Sequence, residues 1–147
     1  MKKIFLITIL SLTSFYSNAA GCTKEQAKAA VEKMCGEITA KGDAAKAEVA
    51  KFRFCDTNYV WVQDADVKMV VHPIKGRLNG KDLKGNKDEK GKFLFVEFDK
   101  VAKANAEGGW VDYYWTKPGD EAPTPKVSFV KQCAGDKKWI AGAGVWK

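Results

Sequence analysis

This 147-residue chain has one histidine and four prolines, and little of what enzymes are built from. It contains no nucleophile elbow, no phosphate-cradling glycine loop and no grouping of histidine with carboxylates. Gly142-Ala143-Gly144 lacks the remaining glycine and the following helix of a dinucleotide site. Cys-x-x-Cys-His is absent, which excludes c-type haem attachment, and a lone histidine among scattered cysteines makes a poor zinc site. Asp64-Ala65-Asp66 reads more simply as a tight turn than as a calcium loop. No cofactor is implied, and no internal repeat or low-complexity tract appears. Past the amino-terminal region no apolar run is long enough to cross a bilayer. What is left is binding rather than turnover.

The amino terminus carries a recognisable address. Met1-Lys2-Lys3 is basic, Ile4 to Leu12 is mostly apolar, and a more polar stretch from Thr13 ends in the small residues Ala19 and Ala20. That is the layout of a secretory signal, here taken as residues 1–21, with 22–147 as one domain large enough for a real core. Two cleavage readings stand. Ser17-Asn18-Ala19 suits an ordinary signal peptidase, whereas Ala19-Ala20-Gly21-Cys22 has the form of a lipobox that would make Cys22 a lipidated first residue. Either way the expected compartment is the periplasm. The net charge of +7 falls by two when Lys2 and Lys3 leave. Most of the excess lies in Lys75, Arg77, Lys81, Lys84, Lys87, Lys90 and Lys92, read as a solvated loop. Nucleic acid is not a partner expected of an exported protein.

An oxidising compartment favours disulfides among Cys22, Cys35, Cys55 and Cys133. Thr23-Lys24-Glu25-Gln26 is a capping box that starts a helix just after Cys22. Cys22 and Cys35 then stand about 20 Å apart along the helix at 1.5 Å per residue, too far to bridge. With two bridges, Cys22 pairs with Cys55 or Cys133; with a lipid on Cys22, one of the other three is free.

Apolar positions at Ala27, Ala30, Val31, Met34, Cys35 and Ile38 predict a one-faced helix from Thr23 to about Lys41, stopped by Gly42. A shorter helix follows over Asp43 to Phe54. Tyr59 to Gln63 and Lys68 to His72 predict a hairpin, then comes a glycine-rich crossover. Phe93 to Asn105 is ambiguous between strand and helix, and its stripe of Leu94, Phe95, Phe98, Val101 and Ala102 favours helix. Trp110 to Thr116, Lys126 to Cys133 and Trp139 to Trp146 complete five strands. The expected class is α+β.

Several strings follow one another in a telling order: Tyr59-Val60-Trp61-Val62-Gln63-Asp64, Met69-Val70-Val71-His72-Pro73, Leu78-Asn79-Gly80, Gly109-Trp110-Val111-Asp112-Tyr113-Tyr114-Trp115, Pro125-Lys126-Val127-Ser128 and Trp139 to Val145. Together they resemble a single Cache domain, the extracytoplasmic sensor module of bacterial chemoreceptors and sensor kinases. The resemblance implies a PAS-like fold: a five-stranded antiparallel sheet, one long N-terminal helix on one face, and short helices over a ligand pocket on the other. It also implies a short carboxylate such as acetate, propionate, lactate or pyruvate as ligand. The chain stops just after the last strand, so it is expected to be a free-standing or lipid-tethered binder. It would then pass its bound state to a membrane receptor, sensor kinase or transporter. A homodimer is compatible with the sequence, which does not decide the oligomeric state. The alternative is a protein–protein module on the same scaffold with a filled pocket.

Strand alternation puts Tyr59 with Trp61, and Tyr113 with Trp115, on one face, leaving Val60 and Val62 to pack on the helix. These rings are the expected walls. Lys126 is the expected counter-charge to the carboxylate, His72 is expected at the pocket edge, and Leu78 and Asn79 in the crossover are expected to close over the ligand.

Overall fold

Thr23 begins the first helix in the manner its neighbours dictate. Its hydroxyl accepts from the Gln26 amide, and the Gln26 side chain accepts from the Thr23 N–H, a cap that contributes about 1 kcal/mol. A computed structural model describes residues 21–147; the expected leader, apart from Gly21, and its cleavage sites lie outside the described residues. Helix α1 spans Lys24–Lys41 and buries Ala27, Ala30, Val31, Met34, Cys35 and Ile38, the six positions that its periodicity marks. Gly42, at φ 56°, ends it in a conformation that a side chain would resist. A 3₁₀ turn, Gly42–Ala44, leads into α2, Ala45–Lys51.

The strands are β1 (Val60–Gln63), β2 (Met69–Val71), β3 (Gly109–Thr116), β4 (Pro123–Gln132) and β5 (Ile140–Trp146), with α3 (Leu94–Ala104) before β3. All five form one antiparallel sheet in the order β2-β1-β5-β4-β3. The last strand in sequence is therefore the middle strand in space. Alternation divides the sheet into two faces. Val60, Val62, Val127, Phe129, Ala141 and Ala143 pack with α1 and α2; Tyr59, Trp61, Val111, Tyr113, Val130 and Ile140 pack with α3.

Two details differ from expectation. Helix α2 lies with α1, so only α3 and a 3₁₀ turn at Gly76–Leu78 belong to the second face. Strand β4 starts at Pro123 rather than Lys126. Its pairing with β5 begins only at Lys126↔Trp146, so the missing N–H groups of Pro123 and Pro125 cost no ladder bond.

The basic crossover is exposed but not loose. The Asp82 side chain accepts from the Lys84 amide, and that of Asp88 accepts from the Lys90, Lys92 and Tyr114 amides. In the β1–β2 turn the Asp64 carboxylate accepts from the Asp66 and Lys68 amides, which fixes its role as a turn former. Among the described residues no helix is long and apolar enough to cross a membrane.

Disulfides Cys22–Cys55 and Cys35–Cys133, with Cα separations of 5.6 and 4.9 Å, fasten the segment just before α1 to the turn between α2 and β1, and α1 itself to the residue just after β4. Of the two partners open to Cys22, Cys55 is the one used. A sulfur in that bridge has no valence left for a lipid thioether, so bridge and lipid compete for one atom. The bridges span 33 and 98 residues. Chain-entropy reasoning gives about 3.7 and 4.7 kcal/mol for loops of those lengths. Denaturant unfolding should show that Cys35→Ala/Cys133→Ala destabilises more than Cys22→Ala/Cys55→Ala; the reverse order would refute the loop-length account.

Candidate functional site

On the face opposite α1, Tyr59 and Trp61 from β1 and Tyr113 and Trp115 from β3 surround a hollow. His72, just past β2, closes one side, and Leu94, Phe95 and Phe98 from the first turns of α3 form the lid. The hollow holds about 170 Å³ of space between atoms. Its free bore admits only about one water molecule. The rest is narrow space between the rings. Phe98 meets Tyr113 edge-on at 4.9 Å, and Phe95 meets Phe98 and Trp115 edge-on at 5.7 and 5.9 Å. Such T-shaped pairs are attractive, so the lid is held shut by the groups that line it.

The floor is set by two glycines. A Cβ at Gly142 would lie 2.3 Å from the Trp61 ring, and one at Gly144 would lie 2.0 Å from Ser128 Oγ. Gly142 lets the Trp61 indole rest against the sheet. Gly144 admits Ser128, whose hydroxyl is 2.9 Å from that of Tyr113. The glycine pair that fails as a nucleotide motif is thus what makes room for the site.

Lys126 is the centre of the electrostatics. Only 1% of it is exposed. Its ammonium lies 3.8 Å from the Trp146 ring centre, 4.7 Å from Tyr59 and 5.7 Å from Trp61. Among the described residues it has no ion-pair partner and no hydrogen-bond acceptor. Burial, and then the charge of Lys75, hold its pKa well below the usual lysine range. Lys75 is half-buried, with its ammonium 4.2 Å over the Trp115 ring. Burial and Arg77 lower its pKa in turn.

His72 is 3% exposed. Its Nδ1 accepts from the Ile74 and Lys75 amides at 3.3 and 2.9 Å, which assigns the proton to Nε2. Burial, followed by Lys126 and Lys75, pushes its pKa down to about 3, so it stays a neutral donor at physiological pH. The Trp115 indole donates to the Tyr59 hydroxyl at 2.9 Å, leaving that hydroxyl's own proton available. The Trp61 indole N–H is buried without an acceptor. The site has donors and no acid: Lys126, His72, Tyr59 and Trp61 all have hydrogen to give.

Of the residues expected to line the site, Tyr59, Trp61, His72, Tyr113 and Trp115 come together around the hollow, and Lys126 lies against its Tyr59 and Trp61 walls. Leu78 packs into the same cluster from its edge. Asn79 has a different position: it is exposed, and its side-chain oxygen accepts from the His72 amide at 2.7 Å, so it orients the histidine backbone. Lys75, Leu94, Phe95, Phe98, Ser128 and Trp146 join the site without being marked for it by the sequence reading. Ser128 shares the strand parity of Lys126, and the α3 stripe was visible, so both carried a usable signal.

Residues 6–146 match the family Single Cache domain 2, a span that covers nearly the whole chain. The chain belongs to this family. The Cache domain is 34% identical over 98 residues to the methyl-accepting chemotaxis protein McpP of Pseudomonas putida, covering 67% of this chain and 18% of that protein. It is 30% identical over 125 residues to the sensor histidine kinase MctS of Rhizobium johnstonii, covering 82% of this chain and 26% of that protein. The chain thus spans only a minor part of either relative. A periplasmic sensor domain of a chemotaxis protein superimposes with a TM-score of 0.74 at 35% identity, covering 84% of this chain and 94% of that one. A Cache chemosensory domain solved for carboxylic acid recognition gives 0.69 at 29%, covering 82% and 86%. The PAS-like Cache fold is therefore shared with solved sensor domains.

The histidine has a consequence for acid stability. Its folded-state pKa lies below the unfolded value of 6.5, so its contribution is complete above that pH and is lost as pH falls towards 3. His72→Asn keeps an acceptor near Nδ1 and does not titrate. Its stability should depend less on pH between 6.5 and 3; an unchanged slope would contradict the buried neutral imidazole.

Proposed function

We propose that this Cache domain binds a short organic carboxylate, of two to four carbons, beside Lys126 and passes the bound state to a separate signalling or transport partner. The observation that carries the reading is a fully buried lysine with no acid beside it. A buried charge is costly unless it is paired, and here the protein supplies rings and donors but no anion. A carboxylate would accept from Lys126, from His72 Nε2 and from the Tyr59 hydroxyl, with its alkyl end against Leu94, Phe95 and Phe98. The neighbour solved for carboxylic acid recognition supports the ligand class. The reading involves no catalysis: Ser128 is bonded to a tyrosine rather than to a base. The partner we have in mind is a membrane receptor, sensor kinase or transporter, with recognition taking place in the periplasm.

Ligand size bounds the affinity. At a ceiling of about 1.5 kcal/mol per heavy atom, acetate and lactate reach about 6 and 9 kcal/mol, so roughly tens of micromolar to sub-micromolar. Entry requires the α3 rings to move off Tyr113 and Trp115.

The narrow bore favours a second reading, in which the rings simply fill the core and the domain acts by docking to another protein. A thermal-shift panel of C2–C4 carboxylates separates the two. At one hundred times Kd, binding contributes about 2.7 kcal/mol, which for a domain of this size is several degrees in Tm. Lys126→Met should abolish the shift. It should also raise stability at neutral pH, because the depressed lysine pKa means that the unfolded state holds the proton more tightly. Folded, ligand-free protein unmoved by every acid on the panel would overturn the carboxylate reading in favour of docking.

A further inference from the structure

This inference rests on the carboxylate reading and concerns what must accompany the anion. Among the described residues no carboxylate pairs with Lys126: Asp88 and Asp112 line a neighbouring surface groove with it, but Asp88 is engaged by the Lys90, Lys92 and Tyr114 amides and Asp112 by Lys147. Strand β1 presents the Tyr59 and Trp61 rings, β5 presents Trp146, and β3 presents Tyr113, whose hydroxyl is bonded to Ser128 on the lysine's own strand. The segment after β2 brings His72, which is neutral, and Lys75, whose charge disfavours a further positive charge. His72 cannot act as the base that holds a proton nearby, since its Nδ1 is occupied by two backbone amides. Tyr59 and Tyr113 do not supply a negative charge either, because burial raises both phenols.

The two forms of Lys126 therefore suit two occupancies of the hollow. A neutral amine suits the closed, ring-filled hollow, where an ammonium has only the faces of aromatic rings to stabilise it. An ammonium suits a hollow that also contains a carboxylate, which supplies the missing counter-charge and a charge-assisted hydrogen bond. We propose that the site takes up a carboxylate and a proton together, the proton adding to the Lys126 amine as the anion arrives. The lone pair on Nζ forms the new N–H bond as the donor's bond to that hydrogen breaks, leaving water where the donor is hydronium or the conjugate base where it is a buffer acid. In thermodynamic terms the domain then reads the activity of the undissociated acid rather than that of the anion. A given carboxylate concentration gives a stronger signal in an acidic medium, with no titrating histidine involved.

The linkage has a definite sign. Below the pH at which Lys126 of the unliganded protein loses its proton, carboxylate affinity is flat. Above it, affinity falls about tenfold per pH unit until the pKa of the liganded form is reached. Calorimetric titration of the full chain with propionate, in PIPES and Tris at matched pH and ionic strength, reads the proton count from the difference in heats. Repeating it from pH 6.5 to 9.5 in further buffer pairs maps the window. The expected result is net uptake that rises with pH towards one proton per propionate, together with weakening affinity. Binding with no proton exchange across the whole range would overturn the inference and leave the carboxylate reading intact. No binding of propionate, acetate, lactate or pyruvate at any pH would overturn that reading, and the inference with it. A measurement without ligand gives an independent check. In ¹³C-lysine spectra, the resonance lost in Lys126→Met should titrate below the other lysines, and a midpoint among the exposed lysines would contradict the proposal.

Discussion

A lysine amine enclosed by aromatic rings, with no acid to neutralise it, is the constraint around which this domain is organised. Proteins seldom bury a lone cation, because the lost hydration is not recovered from apolar neighbours. Here the surroundings are polarised in one direction. Lys126, His72, Tyr59 and Trp61 offer hydrogens, and the Trp61 indole N–H is buried without an acceptor, while the Tyr113 and Ser128 hydroxyls are engaged with each other. The excess of donors over acceptors is a property of the site as a whole, more telling than any one residue in it.

Most of the remaining architecture holds that arrangement in place. The central strand β5 gives up side chains at Gly142 and Gly144, so that Trp61 and Ser128 can lie close to the sheet. The two disulfides fasten α1 on the opposite face, which leaves α3 as the wall without a covalent tie, held by ring contacts and by the Gln63 amide donating to the Phe95 carbonyl. The crossover is bent into shape by Asp82 and Asp88, and its first turn aims Lys75 over Trp115. A rigid side and a yielding side suit a sensor, whose signal must start from a displacement on binding.

Much of this was legible from the residues because strand parity is strict. Once Tyr59-Val60-Trp61-Val62 is read as a strand, the rings and the valines have to part to opposite faces, and they do. The same rule brings Tyr113, Trp115 and Lys126 to the ring side. The six-residue stripe of α1 and the helical assignment of Phe93 to Asn105, observed as Leu94–Ala104, follow from periodicity alone. Loop residues were harder, since their positions depend on backbone bends that no period encodes. In the sequence Lys75 reads as one more solvated charge, yet the turn after His72 brings it over Trp115. Asn79 is expected to close over the ligand, and what its sequence position does not reveal is that its side-chain oxygen accepts from the His72 amide. How tightly α3 closes was also unreadable, because ring-to-ring distances depend on packing in three dimensions.

The central claim is that an organic anion settles against the enclosed amine. A crystal structure of the protein grown with propionate tests it most directly. The expected map shows the carboxylate within about 3 Å of Lys126 Nζ, its alkyl end against Phe95 and Phe98, and α3 moved outwards. Propionate located only on the outer surface, with the aromatic rings still in mutual contact and the amine still unpaired, would contradict the account.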